Sequence, residues 1–166
     1  MATYVYCATE EEVRQARREA EEIHQLDTDD TSVERSTERQ QIERKFKGFL
    51  GELVLSRVNK WKRNRPHVLL FDAEDPEDGR KIDVKVRSKW FTEEIPVKPN
   101  SDLAVLLRYF KNEGQHPHWN ATGQRCNEIG HHCFQVVKSF ERSYLQRGVG
   151  KSSSQRNTGR HNSKTG

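Results

Sequence analysis

The sequence predicts an α/β (α+β) domain, with helices packed on a central sheet. Three observations predict it. Two capping-box patterns, Thr9–Glu12 and Thr31–Glu34, each open a stretch of helical periodicity. Residues 80–87 alternate strictly, with Ile82, Val84 and Val86 pointing one way and Asp83, Lys85 and Arg87 the other. That is a half-buried strand with an acid and two bases on its open face. Leu103–Leu107 is a short continuous apolar run, which reads as a central strand.

Composition narrows the class. At 166 residues, one domain is expected. Hydrophobic residues make up 32% and charged residues 33%, and mean hydropathy is −1.03. So polar a chain has a modest core, and some segments lack fixed structure. The net charge of +4 suits a polyanionic partner. The three cysteines, Cys7, Cys126 and Cys133, are odd in number and widely spaced, which predicts no disulfide framework and a reducing compartment. Neither a signal peptide nor the run of roughly 20 apolar residues that a membrane span needs is visible. The expectation is a cytoplasmic protein with no membrane association.

In chain order, Thr3–Cys7 is a short strand or a loose arm. The Thr9 capping box opens a helix to about Leu26, with Val13, Ala16, Ala20 and Ile23 as a thin apolar stripe. Residues 1–30 are rich in acids and form an N-terminal helical segment expected to avoid DNA. The Thr31 capping box opens a long helix to about Lys62, buried through Ile42, Phe46, Phe49, Leu50, Leu53, Val54 and Val58. Glu52 sits beside that stripe, with Gly48 and Ser56 one turn to either side. Gly48 and Gly51 each cost a helix about 1 kcal/mol relative to Ala, so a packing or functional reason is expected. Lys60, Lys62, Arg63 and Arg65 follow as a basic run that complements the helix dipole or touches phosphates. Pro66 is read as the end of this helix and the start of a strand.

His67–Ala73 is an apolar run with Asp72 near its end. The turn-rich Glu74-Asp75-Pro76-Glu77-Asp78-Gly79 joins it to residues 80–87 as a β-hairpin, with Asp75 and Asp78 as turn formers. Arg87 and Lys89 precede Trp90 and Phe91, an arrangement that suits either nucleic-acid contact or core rings. Lys111–Gly130 reads as a long loop, and Cys133–Phe140 as a further strand. Residues 147–166 are basic and small, without an acid, and are expected to be a disordered tail drawn to a phosphate backbone.

A helix bearing Gly48-Phe49-Leu50-Gly51-Glu52, a hairpin bearing Asp72, then Asp83-Val84-Lys85: over residues 42–87 the chain resembles the PD-(D/E)XK nucleases, the restriction-endonuclease-like superfamily. The resemblance implies an αβββαβ core over residues 31–146, with a mixed central sheet flanked by helices and a second core helix within 111–130. It also implies metal ligation by Asp72 and Asp83, an accessory role for Glu52 and the catalytic lysine role for Lys85. The implied activity is Mg²⁺-dependent cleavage of DNA, with Mn²⁺ as a substitute, and by analogy a homodimer that cuts both strands.

The residues carry this chemistry on their own terms. Phosphodiester hydrolysis needs a positioned water and stabilisation of charge, much of it supplied by Mg²⁺ on hard oxygen ligands. Facing residues on paired strands have Cβ atoms roughly 5 Å apart, so Asp72 and Asp83 can share a cation. Lys85 shares Asp83's side of the strand. His67 and Asp72 are five apart and face opposite sides, so only one of them joins Asp83, and a one-residue slip of register reverses which. With His67 there, metal binding weakens and a non-catalytic nucleic-acid-binding module remains. A second constellation, Cys126, His131, His132 and Cys133, has zinc-type ligands at a spacing that matches no common finger, and raises a zinc-stabilised interaction protein as a third reading.

Overall fold

The computed structural model describes residues 5–26, 37–66, 71–89, 96–112, 118–119, 125–126 and 131–141. Its centre is a six-stranded mixed sheet in the order β1-β8-β5-β4-β3-β2. The strands are β1 (Val5–Cys7), β2 (Lys62–Arg63), β3 (Ala73–Glu74), β4 (Lys81–Arg87), β5 (Leu103–Lys111) and β8 (His132–Glu141), with a separate pair, β6 (His118–Trp119) and β7 (Arg125–Cys126). The helices are α1 (Glu10–Leu26) and α2 (Glu38–Asn59).

The Thr9 capping box forms: Thr9 N–H donates to Glu12 Oε2 at 2.8 Å and Glu12 N–H to Thr9 Oγ1 at 3.2 Å. Glu12 also receives Arg57 Nε at 2.6 Å, and the same guanidinium donates to the Cys7 carbonyl at 2.9 Å. One guanidinium thus ties β1, α1 and α2 together. The helix buries Ala16, Ala20 and Ile23 against the core.

The second helix starts later than the Thr31 box predicts. Thr37 is its N-cap, extended in backbone, and closes a capping box with Gln40; residues 27–36, including Thr31–Glu34, lie outside the described residues. It also ends earlier. Lys60 adopts a left-handed conformation (φ 58°) as C-cap, so the chain leaves the helix before Pro66 and enters β2 instead. Phe46, Leu50 and Val54 are fully buried along the expected stripe, and the other four members pack against them in part.

Gly51 explains how closely α2 lies on the sheet. A Cβ there would stand 2.5 Å from Val86 Cγ2, 3.2 Å from Leu107 Cδ1 and 3.3 Å from Phe134 Cε1. Only a residue without a side chain lets the helix axis come this near. At Gly48 a Cβ would meet nothing within 4 Å.

The hairpin forms with Ala73 opposite Ile82 and Glu74 opposite Lys81. Asp75 and Asp78 make the turn, accepting the Glu77 and Arg80 N–H groups at 3.0 Å each, and Gly79 supplies its positive φ of 73°. The run that starts at His67 is outside the described residues up to position 70. β5 then runs parallel to β4 and antiparallel to β8, which makes it the interior strand that its apolar run predicts. A parallel neighbour requires the chain to travel back to where β4 began. Residues 96–102 are the described end of that return, locked where Asp102 and Lys81 exchange hydrogen bonds: Asp102 N–H to the Lys81 carbonyl at 2.7 Å, Lys81 N–H to Asp102 Oδ2 at 2.9 Å.

Between Asn112 and His131 the described residues are those of the short β6–β7 ladder, His118 facing Cys126 and Trp119 facing Arg125, and the rest of the stretch in which the resemblance places a second core helix lies outside the described residues. Residues 142–166, the expected basic tail among them, lie outside the described residues, as do Trp90 and Phe91. No helix among the described residues is long and apolar enough to cross a membrane.

Candidate functional site

The β3–β4 register places Asp72 one step beyond the Ala73–Ile82 pair, opposite Asp83. Asp83 is close enough to Asp72 to contribute to raising the Asp72 pKa. Asp72 sits where the ladder ends, and its Oδ2 accepts the Val84 N–H at 2.8 Å, standing in for a strand partner.

Asp83 differs from its expected setting. Strict alternation puts it on an open face, yet it is fully buried. The return segment covers it, with Lys98 N–H donating to Asp83 Oδ2 at 2.9 Å. Oδ1 makes no regular hydrogen bond, although Lys85 Nζ stands 3.2 Å and Lys98 Nζ 3.9 Å from it. A buried carboxylate oxygen is costly without strong compensation, so this oxygen draws cations toward it. Lys85 lies on the same side as Asp83, as the alternation predicts, and its side chain is 21% exposed.

Lys98 is the site residue that the sequence does not announce. Its Nζ pairs closely with Asp72 Oδ1 and lies within ion-pair range of Asp83. Burial lowers its pKa, but the hydrogen bond to Asp72 and the charges of Asp72, Asp83 and Glu52 outweigh this and raise it. Nothing local marks Lys98, because its place follows from the crossover that parallel strands impose.

Glu52 enters from α2 and is buried. Desolvation, then the Asp72 charge, push its pKa up to about 8 against the opposing pull of Arg63. Burial likewise raises Asp72 despite Lys98 and the Val84 N–H. Arg63 turns inward: Nε donates to Glu52 Oε2 at 3.0 Å, and Nη1 and Nη2 grip Glu19 of α1 at 3.0 and 2.7 Å. Its fork is thus spent on two carboxylates, whereas Lys60, Lys62, Arg65, Arg87 and Lys89 remain exposed. The acidic N-terminal helix supplies a carboxylate to the network around Glu52.

Glu52, Asp72, Asp83 and Lys85 are therefore gathered into one neighbourhood, with Lys98 and Arg63 as its further cations. His67 is outside the described residues. Among the described residues no three His, Cys, Asp or Glu side chains converge as a ready metal cage; Glu52 is drawn to Arg63, and Lys98 stands between the aspartates. By donor chemistry the three acids suit Mg²⁺, a hard cation that keeps several waters and takes few carboxylates.

Within the Cys/His constellation, His132 and Cys133 take opposite faces of β8, as successive strand residues do. The His132 ring lies edge-on to Phe46 at 5.2 Å and its Nδ1 is 2.7 Å from the Tyr109 hydroxyl. Cys133 is a free thiol buried beside Val5, with its pKa raised to about 11 by that burial. Cys126 is described in its backbone alone. Cys7 is disulfide-bonded, contrary to the expectation of reduced cysteines.

Comparison with protein-family models, with curated proteins and with solved structures yields no match.

Proposed function

We propose that this protein is a metal-dependent endonuclease that hydrolyses DNA phosphodiester bonds on a restriction-endonuclease-like αβββαβ core. The observation that carries the reading is the approach of Asp72 and Asp83 to one another with Lys85 beside them. Asp72, Asp83 and Glu52 would hold Mg²⁺ or Mn²⁺. That ion would supply Lewis-acid stabilisation of phosphate charge and a more acidic water. The buried Asp83 Oδ1, which lacks a regular hydrogen bond, fits such a ligand.

The chain's own residues do the rest. Lys85, partly exposed beside Asp83, holds a phosphate oxygen or orients the water that attacks phosphorus as the ester P–O bond breaks. Exposed Lys60, Lys62, Arg65, Arg87 and Lys89 attract the phosphate backbone on either side of the cut. The compact chain cuts both strands of a duplex as a homodimer. Incubation of plasmid and branched DNA with Mg²⁺ tests the proposal. Wild-type protein nicks or linearises the DNA, and Asp83→Ala and Lys85→Ala abolish cleavage; undiminished cleavage by both variants rejects it.

A second reading, a nucleic-acid-binding module without catalysis, draws on one observation: an ammonium already stands between the aspartates. It is favoured by salt-sensitive DNA binding with no cleavage in either Mg²⁺ or Mn²⁺.

A further inference from the structure

We infer that Lys98 is a resident counter-ion that holds the cation's place between Asp72 and Asp83 and must withdraw before a divalent ion can bind there. This rests on the metal-dependent reading of the site and adds a gate to it.

Two carboxylates facing each other largely away from water repel. An ammonium between them removes that penalty in the metal-free protein. Lys98 has the geometry for this. Its backbone N–H anchors the return segment on Asp83 Oδ2 at 2.9 Å, and its side chain reaches back to Asp72 while remaining 3.9 Å from Asp83 Oδ1. Lys85 does not take this place, because its ammonium pairs with Asp83. The Lys98 side chain is 35% exposed, so its flexible stem has a route outward. The backbone anchor does not depend on the ammonium, so the head can leave while the segment stays. Once out, the amine is free to meet a phosphate near the site, which would link metal entry to substrate capture.

The test compares wild type with Lys98→Met, which keeps the stem and the backbone N–H and removes the charge. Mn²⁺ alone is the probe, read by calorimetric titration and by the shift in Tm. An opposite charge alters a carboxylate's proton affinity by about ten- to a thousand-fold, and the same scale applies to a competing metal. Lys98→Met therefore binds Mn²⁺ at least about tenfold more tightly than wild type, melts lower in EDTA and gains more Tm with Mn²⁺. Adding Asp83→Asn to Lys98→Met removes the gain. Equal or weaker Mn²⁺ binding by Lys98→Met overturns the inference. Should that variant not fold, acetylation in wild-type protein decides: Mn²⁺ speeds modification of Lys98 relative to exposed Lys62, and an unchanged ratio overturns the gate. Cleavage assays keep the two claims apart. A protein that cuts DNA without a Lys98→Met effect retains the nuclease reading and loses the gate. One that shows the Mn²⁺ effect but leaves DNA intact retains the gate and loses the nuclease.

Discussion

Glu52 and His132 are buried groups whose titrations pull stability in opposite directions. Glu52 has a folded pKa of about 8 against 4.5 when unfolded, chiefly through desolvation. Between these values the unfolded chain has released a proton that the folded chain still holds. Stability therefore falls as pH rises from 4.5 to 8. His132 sits at about 4, below its usual 6.5, because burial and then Lys111 disfavour its cation. In that window the unfolded chain holds the extra proton, so stability falls as pH drops from 6.5 to 4. The two effects oppose each other between 4.5 and 6.5, so each is read cleanly outside that overlap. Metal-free wild type loses Tm from pH 6.5 to 8, and Glu52→Gln flattens that limb; an unchanged slope contradicts the burial of a reluctant acid. By NMR, the His132 ring titrates near 4 rather than near 6.5. At this scale the Asp83–Lys85 relation was legible, because strand alternation fixes it. The burial of Asp83 was not. Alternation reports which side a residue faces, not what a distant segment lays over it, and Lys98 arrives by a route that leaves no periodic trace.

Two glycines one turn apart in α2 have opposite roles. The sequence flags both, since each costs the helix about 1 kcal/mol. It cannot say which one is needed, because that depends on how the helix is rotated on the sheet. Gly51 faces Val86, Leu107 and Phe134, and a Cβ would force at least the stiff Val86 side chain to move. Overpacking of this kind costs about 1–3 kcal/mol, so Gly51→Ala is net destabilising despite its better propensity. Gly48 opens on space, and Gly48→Ala stabilises by up to about 1 kcal/mol. Urea denaturation of the two variants checks both signs, and a stabilised Gly51→Ala would mean that helix and sheet lie further apart. The elements themselves followed from capping, alternation and turn chemistry. Their ends were harder, because the left-handed Lys60 that stops α2 carries no glycine or proline signal.

Across the whole molecule the charges divide into those tied inside and those left for a partner. The run from Lys60 to Arg65 looks uniform in sequence, since all of its basic members have the same nominal charge. The fold separates them. Arg63 is clamped by Glu19 and Glu52, with its side chain 10% exposed, while Lys62 and, on β4, Arg87 point to solvent. If the exposed set touches DNA phosphates, the logarithm of the affinity falls linearly with the logarithm of salt concentration, and deleting one phosphate-binding cation reduces the slope by about 1. Lys62→Ala and Arg87→Ala therefore flatten the salt dependence of DNA binding, measured by fluorescence anisotropy, without moving Tm. Arg63→Met should do the reverse. It strands the shielded Glu19 carboxylate and removes the donor that Glu52 accepts from, a penalty on the order of 3–5 kcal/mol for breaking one side of a buried pair, while the salt slope stays that of wild type. An Arg63→Met protein that melts normally but binds DNA with a shallower slope would place Arg63 on the phosphate backbone and detach the N-terminal helix from the acidic centre.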